Sequence, residues 1–388
     1  VHCCPVVLSY LIMTQKEIKL FANEKAFPAE VLDALTKDGV TLLPYDSIYE
    51  YVKTFEKDMT VLLCKQKANS RLVSNIPAEV KILDEENLTL LPKAIKNPVE
   101  VENERIAHIK DGVALTKFIY WLKKNVGKIP ITELSAEEKL YSFRAQQENF
   151  IDNSFDPIIS YGKHAAIVHY FATPETDIPI EPRSFVLADT GGNYYEGTTD
   201  TTRTIVMGSV TDEEKKFFTA VLRGMLNLGN AKFRYGCTGA NLDCLARGPL
   251  WELGKDFNHG TGHGVGYLLN VHEGPNNFRW KIVPGNTAVL EEGMITSDEP
   301  GYYVEDGFGI RHENLMVCKK AEKTEYGQFM CFEFLTMVPF DLDAVVPEQM
   351  TAHERELLNN YHVQVYEKIS PYLDEDERAW LKEATRAI

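Results

Sequence analysis

The sequence has 388 residues, 44% hydrophobic and 25% charged, enough for two or three globular domains and unlike a disordered, collagen-like or coiled-coil chain. Its formal charge of −16 argues against nucleic acid or an anionic membrane as the main partner, because binding phosphates takes clustered Lys and Arg. Seven cysteines, odd in number and without a CxxC pair, argue against a disulfide framework and for a reducing, cytoplasmic setting.

In chain order, the apolar stretch from Pro5 to Met13 is far shorter than the ~20 residues of a membrane helix. With no Lys or Arg before it and no small-residue cleavage site after it, it does not fit a signal peptide. It reads as a strand over Val6–Met13. Because the sequence opens on Val1 and not Met, it is expected to be a piece of something longer. Further strands are predicted at Glu17–Ala22, Val40–Leu43, Thr60–Cys64 and Val80–Leu83, with helices at Ala29–Thr36 and Tyr45–Phe55. Residues 1–94 therefore read as a small α/β domain with a largely buried sheet. Nothing in it gathers His, Cys or acidic residues at ligand spacing.

From Asn97-Pro98 onward the pattern changes, and residues 95–388 read as a second, α+β domain. Leu115, Phe118, Ile119 and Leu122 form one apolar helix face, predicting a helix over Val99–Asn125 stopped by Gly127 and Pro130. Ser135-Ala-Glu-Glu138 and Thr211-Asp-Glu-Glu214 read as capping boxes opening two more helices. Strands are predicted at Ala165–Ala172, Phe185–Asp189, Thr202–Val206, Tyr267–Val271, Met294–Ser297, Ile310–Val317 and Phe332–Val338. The order helix, helix, strands occurs twice, which hints at two similar halves. Pro249 should kink the helix that precedes His259. The tail Tyr361–Ala387 is helical, with Tyr366, Ile369, Leu373 and Trp380 as docking residues.

Six of the ten histidines lie between His164 and His312. The same window holds Asp189 at the end of Phe185-Val-Leu-Ala188, and Asp200 in Gly197-Thr-Thr-Asp-Thr-Thr-Arg203, with turn-forming glycines between them. Glu299 follows Thr296-Ser-Asp298 and Glu313 ends Gly309-Ile-Arg-His-Glu313, again on either side of a turn. Each pair should face across a hairpin. Four carboxylates on core strands cannot all ionise without counter-charge, since each costs several kcal/mol to desolvate. Two divalent cations supply it, and one imidazole from His259-Gly-Thr-Gly-His263-Gly-Val-Gly266 would complete the set. Oxygen-rich ligation with one imidazole favours Mn²⁺, with Co²⁺, Zn²⁺ or Mg²⁺ as other candidates. The same glycine-rich stretch lacks the Lys-Ser/Thr of a phosphate-binding loop.

Asp189-Thr-Gly-Gly192, Gly197-Thr-Thr-Asp-Thr-Thr-Arg-Thr204, His259-Gly-Thr-Gly-His-Gly-Val-Gly266, Asn270-Val-His-Glu-Gly-Pro275, Asp298-Glu-Pro-Gly-Tyr302 and Gly309-Ile-Arg-His-Glu-Asn314 together resemble the Xaa-Pro aminopeptidases (aminopeptidase P), most closely the long cytosolic form. These are metallopeptidases of the pita-bread fold, shared with prolidase, creatinase and methionine aminopeptidase. The resemblance implies a pita-bread catalytic domain preceded by a creatinase-type domain, with the long form's N-terminal domain lying outside this sequence. It implies Asp189, Asp200, His263, Glu299 and Glu313 as metal ligands and Arg311 as partner to a ligand carboxylate. His169, His259 and His272 match histidines that bind substrate and move protons, whereas His108, His164, His312 and His353 are left as ordinary histidines. Thr190 and Gly192 stand where Ser and Ala are common.

The implied reaction removes the first residue from peptides with proline second. A hydroxide bridging the two ions attacks the Xaa-Pro carbonyl, His272 donates to the oxyanion, and Glu299 carries the proton to the leaving nitrogen. A homodimer without nucleic-acid or membrane partners is the implied assembly. Two other functions remain open: a prolidase restricted to dipeptides, and a metal-free pita-bread binding module.

Overall fold

The computed structural model describes residues 1–282 and 287–388. Residues 5–90 form one compact unit and residues 91–388 another, with Val1 grouped with the first and residues 2–4 with the second.

In the first unit, β1 (Ser9–Met13) and β2 (Ile18–Ala22) make an antiparallel hairpin, and β3 (Val40–Pro44) runs parallel to β2. A separate parallel pair joins β4 (Thr60–Leu63) to β5 (Lys81–Asp84). Helices α1 (Ala29–Lys37), α2 (Ile48–Tyr51) and α3 (Ser70–Asn75) connect them. The expected helix over Tyr45–Phe55 is broken into a 3-10 turn, α2 and a second 3-10 turn. Phe21, Ile48, Val52, Ile76 and Val80 make the core. The sheet is not largely buried as expected. An antiparallel edge strand can leave one face open, and β1 alternates accordingly, with Leu11 and Met13 exposed.

Helix α4 (Leu90–Ala94) crosses the boundary, and α5 (Pro98–Asn125) opens the second unit. Asn97 caps α5 in a reciprocal box with Glu100, Pro98 stands at its first turn, and Leu115, Phe118, Ile119 and Leu122 are buried as the periodicity predicts. The next helix, α6 (Glu133–Arg144), starts earlier than expected. Its cap is Thr132, and Ser135 is the third helical residue that bonds back to it. The Ser135-Ala-Glu-Glu138 box is therefore not the start of the helix, because Thr132 and Ser135 already satisfy each other's amides.

Two three-stranded sheets follow, built from β6 (Phe150–Asn153), β7 (Ile158–Tyr161), β8 (Phe185–Thr190), β9 (Gly192–Tyr194), β10 (Gly197–Thr198) and β11 (Thr201–Val206). Their orders are β10-β9-β6 and β11-β8-β7. The strand expected at Ala165–Ala172 is absent: a 3-10 turn covers Gly162–Ala166. Buried Glu133 explains this, because it accepts from the amide of Tyr161 at 2.7 Å and faces His164 Nδ1 at 3.0 Å and the Tyr170 hydroxyl at 3.2 Å. These bonds wind the segment back on itself.

The helix pair recurs as α7 (Asp212–Gly229), opened by the predicted Thr211–Glu214 box, and α8 (Gly239–Trp251), which contains Pro249. Strand β12 (Phe233–Arg234) lies between the two helices, and after them come β13 (Gly262–His263), β14 (Asn277–Phe278), β15 (Ile295–Asp298), β16 (Gly301–Tyr303), β17 (Gly309–Arg311), β18 (Asn314–Thr324) and β19 (Gly327–Phe334). One four-stranded sheet has the order β12-β19-β18-β15. The expected strand Tyr267–Val271 is a turn, with Leu268 at φ 50°. The expected strand Ile310–Val317 is interrupted at His312-Glu313. Helices α9 (Ala352–Ile369) and α10 (Glu375–Ala384) end the chain, with Ile369 and Leu373 in the core and Tyr366 and Trp380 packed against it.

Candidate metal centre

Asp189 and Asp200 come from the ends of paired strands. The β8–β11 ladder sets Asp189 opposite Thr202, and Asp200 immediately precedes β11. The expected simple hairpin is interrupted by the β9–β10 excursion, which pairs Gly197 with Tyr194. On the other side, β15–β18 sets Asp298 opposite Asn314, and β16–β17 sets Gly301 opposite Arg311. Both ladders share one register, so Glu299 and Glu313 confront each other in the gap between them. Their amides leave the ladder: Glu299 N donates to Thr261 O at 2.8 Å and Glu313 N to Thr202 O at 3.1 Å. The latter bond ties the second carboxylate pair to the strand after the first. His263 arrives on β13, which packs so close to β15 that a Cβ on Gly262 would lie 1.9 Å from the Ser297 carbonyl oxygen.

These elements bring donor atoms together in three overlapping groups, each within 4.8 Å: Asp189, Asp200 and Glu313; His263, Glu299 and Glu313; and Asp200, His263 and His272. His263 Nε2 lies 3.4 Å from Asp200 Oδ2 and 3.5 Å from Glu299 Oε1. Its Nδ1 faces the Gly264 carbonyl at 2.9 Å. A carbonyl only accepts, so Nδ1 carries the proton and the Nε2 lone pair points at the carboxylates, the tautomer a metal ligand needs.

The charge balance fits bound cations. Burial first, then the neighbouring carboxylates, pushes Asp200 and Glu313 well above the usual range, and burial also raises Glu299. Asp189 Oδ1 and Glu313 Oε1 are buried without a hydrogen-bond partner. Acidic oxygens left without donors in a buried cluster are what a pair of divalent ions would satisfy. Three of the other carboxylate oxygens are held: Arg311 Nη2 donates to Asp189 Oδ2 at 2.5 Å, Thr202 Oγ1 to Glu313 Oε2 at 2.8 Å, and Ser297 Oγ to Glu299 Oε1 at 3.1 Å.

The remaining expected residues are placed unevenly. The His272 ring lies 4.3 Å from that of His263 and perpendicular to it, and burial above all, with the neighbouring imidazole, lowers its pKa to about 4. His259 is lowered to about 3, by burial and then by Arg311. Both of its nitrogens are engaged, Nδ1 with Gly260 O at 2.7 Å and Nε2 with the Tyr303 hydroxyl at 2.9 Å. His169 is exposed and belongs to none of the three donor groups, yet it lies near enough that a proton on it would lower both His259 and His272. Tyr303 and Thr202 escaped the sequence reading. Both sit inside the quoted motifs or one residue beyond, and a hydroxyl forced into a core beside an arginine was the available signal.

Residues 102–320 match metallopeptidase family M24, residues 328–388 its C-terminal region, and residues 1–100 the creatinase/prolidase N-terminal domain. The chain is 38% identical over 404 residues to a probable Xaa-Pro aminopeptidase P of Ajellomyces capsulatus, covering 99% of this chain and 65% of that protein. It is 39% identical over 403 residues to a protein of the same name from Paracoccidioides brasiliensis, with the same coverage. The chain thus spans about 65% of the length of these relatives. The crystal structure of an X-prolyl aminopeptidase from Caenorhabditis elegans, described as a cytosolic enzyme with a di-nuclear active site, superposes with a TM-score of 0.93 at 32% identity, over 100% of this chain and 64% of that one. The prolidase of Pyrococcus furiosus gives a TM-score of 0.65 at 26% identity, over 84% and 89% of the two chains. The fold is the expected one, a pita-bread catalytic domain after a creatinase-type domain. On its motifs, its buried carboxylate cluster and these matches, the chain belongs to metallopeptidase family M24.

Proposed function

We propose that this chain carries the catalytic centre of a dinuclear Xaa-Pro aminopeptidase, with Asp189, Asp200, His263, Glu299 and Glu313 holding two divalent ions, preferentially Mn²⁺. The observation that carries this reading is the convergence of these five side chains, with two buried carboxylate oxygens lacking any donor. When bound, the ions would supply an ionised water at neutral pH and polarise the scissile carbonyl.

The protein's own groups divide the rest of the work. Arg311 fixes Asp189 through Oδ2 and leaves Oδ1 free for a ligand role. Thr202 does the same for Glu313. His272, neutral because burial holds its pKa to about 4, keeps one N–H to donate to the developing oxyanion. Glu299 moves a proton from the nucleophile toward the proline nitrogen. His169 and the His259–Tyr303 pair line the substrate side. The acidic pocket attracts the α-amino group of a peptide, which favours an exopeptidase.

The chain works on peptides in the cytoplasm as part of a homodimer; among the described residues no helix is long and apolar enough to cross a membrane. Higher identity to the named aminopeptidases than to the prolidase supports the aminopeptidase reading over a dipeptidase. Release of the first residue from an Arg-Pro-Pro-type tripeptide and from longer Xaa-Pro peptides tests it. Activity confined to Xaa-Pro dipeptides would reject it in favour of prolidase, and inability to bind any divalent ion would favour a binding module.

A further inference from the structure

Arg247 lies inside α8, away from every sequence motif discussed above. Its guanidinium is 1% exposed and meets four acceptors. Nε donates to Asp243 Oδ2 at 2.7 Å, Nη1 to Asp256 Oδ1 at 2.6 Å and to the Phe257 carbonyl at 2.7 Å, and Nη2 to the His259 carbonyl at 2.9 Å. The Phe257 ring centroid lies 3.8 Å from the guanidinium carbon. Asp243, fully buried, accepts at its other oxygen from Thr261 Oγ1 at 2.6 Å. Thr261 in turn accepts the amide of Glu299 at its carbonyl.

One buried ion pair on a helix thus grips the loop at Phe257, His259 and Thr261. A loop rich in glycine between His259 and Gly266 has little intrinsic rigidity, so its geometry must come from outside. Only a planar fork of N–H groups reaches two carboxylates and two carbonyls at once; a lysine ammonium of the same charge does not. We propose that Arg247, with Asp243, is a positioning residue for the histidine loop: it fixes the backbone at His259 so that the imidazole keeps Nδ1 on the Gly260 carbonyl and Nε2 toward Tyr303. The kinetic part of this proposal rests on the aminopeptidase reading; the structural part does not.

The test uses the full chain and Arg247→Lys, which retains a charge beside Asp243 but loses the fork. The kcat/KM for an Arg-Pro-Pro-type tripeptide should fall on the order of tenfold or more, as for a misplaced functional group. In a His259→Ala background the same substitution should cost less than about twofold, because the group it positions is gone. In the Zn²⁺-saturated chain, the imidazole ¹⁵N shifts of His259 should move from the Nδ1–H tautomer toward a mixture. Equal losses in both backgrounds with an unchanged His259 tautomer would overturn the proposal. Should Arg247→Lys not fold, Asp256→Asn, at a 40% exposed side chain, removes one outer acceptor and should give the same pattern at smaller size. Equal effects of Asp256→Asn in both backgrounds would overturn it too. A parent chain that cleaves no Xaa-Pro peptide defeats the aminopeptidase reading, and the tautomer measurement still decides the role of Arg247.

Discussion

The hydroxyl of Tyr303 lies 2.9 Å from Nε2 of His259, and it is the donor. Nδ1 of the same ring faces the Gly260 carbonyl, which can only accept, so Nε2 carries the lone pair. The phenol oxygen itself accepts from Arg311 Nη1 at 2.8 Å, and Arg311 Nη2 donates to Asp189. Hydrogen bonds therefore diverge from Arg311, one to a carboxylate of the centre and one through Tyr303 to the histidine at its edge.

Tyr303→Phe should cut the branch to His259 while keeping the ring. The free lone pair on Nε2 removes a bond that favours neutral imidazole, so the His259 pKa should rise from about 3. The kcat/KM for an Xaa-Pro tripeptide should drop on the order of tenfold, the usual range for one buried hydrogen bond. An NMR titration of His259 and steady-state kinetics read the two effects.

Asp200→Ala should abolish turnover and lower the metal content together. Asp200 shares two of the three donor groups, and no neighbouring side chain can take its place. Full turnover with an undiminished metal count would remove Asp200 from the proposed ligand set.

His272→Ala should behave differently. Loss of one oxyanion donor should lower kcat by roughly 100-fold or more while metal content stays unchanged. A fall in bound metal matching the fall in rate would instead make His272 a ligand, which its approach to Asp200 and His263 would allow.

Away from the centre, His362 sets part of the acid stability. It is buried, its Nε2 accepts from the Phe340 amide at 3.1 Å, and burial lowers its pKa from 6.5 to about 3. The folded-state pKa lies below the unfolded one, so the unfolded chain binds the extra proton and stability falls as pH drops from about 6.5 toward 3. His362→Gln should flatten the pH dependence of unfolding free energy in that window by about one proton. Urea unfolding at a series of pH values measures the slope.

Much of this was legible in the sequence because the chemistry demands residue types the fold alone would not choose. Glu299 and Glu313 could be paired from apolar runs broken by turn residues, since one register runs through their two ladders, whereas the β9–β10 excursion sets Asp189 opposite Thr202 and not Asp200. What stayed hidden was partly local and mostly tertiary. Thr132 rather than Ser135 caps α6, since a capping pair satisfied within the chain gives no outward sign of which member is first. Ala165–Ala172 looks like a strand until buried Glu133 is found holding it from α6. Tyr303 and Arg247 act through acceptors on other segments, which no local spacing reveals.

The most direct measurement of the central claim is the number of ions held by the five side chains. The metal-stripped chain would be titrated with Mn²⁺ by calorimetry, desalted and submitted to elemental analysis. About two ions per chain are expected, with restored cleavage of an Xaa-Pro tripeptide, and fewer in Asp200→Ala. A folded wild-type chain that retains no ion, or that binds ions equally well without Asp200, would contradict the dinuclear centre.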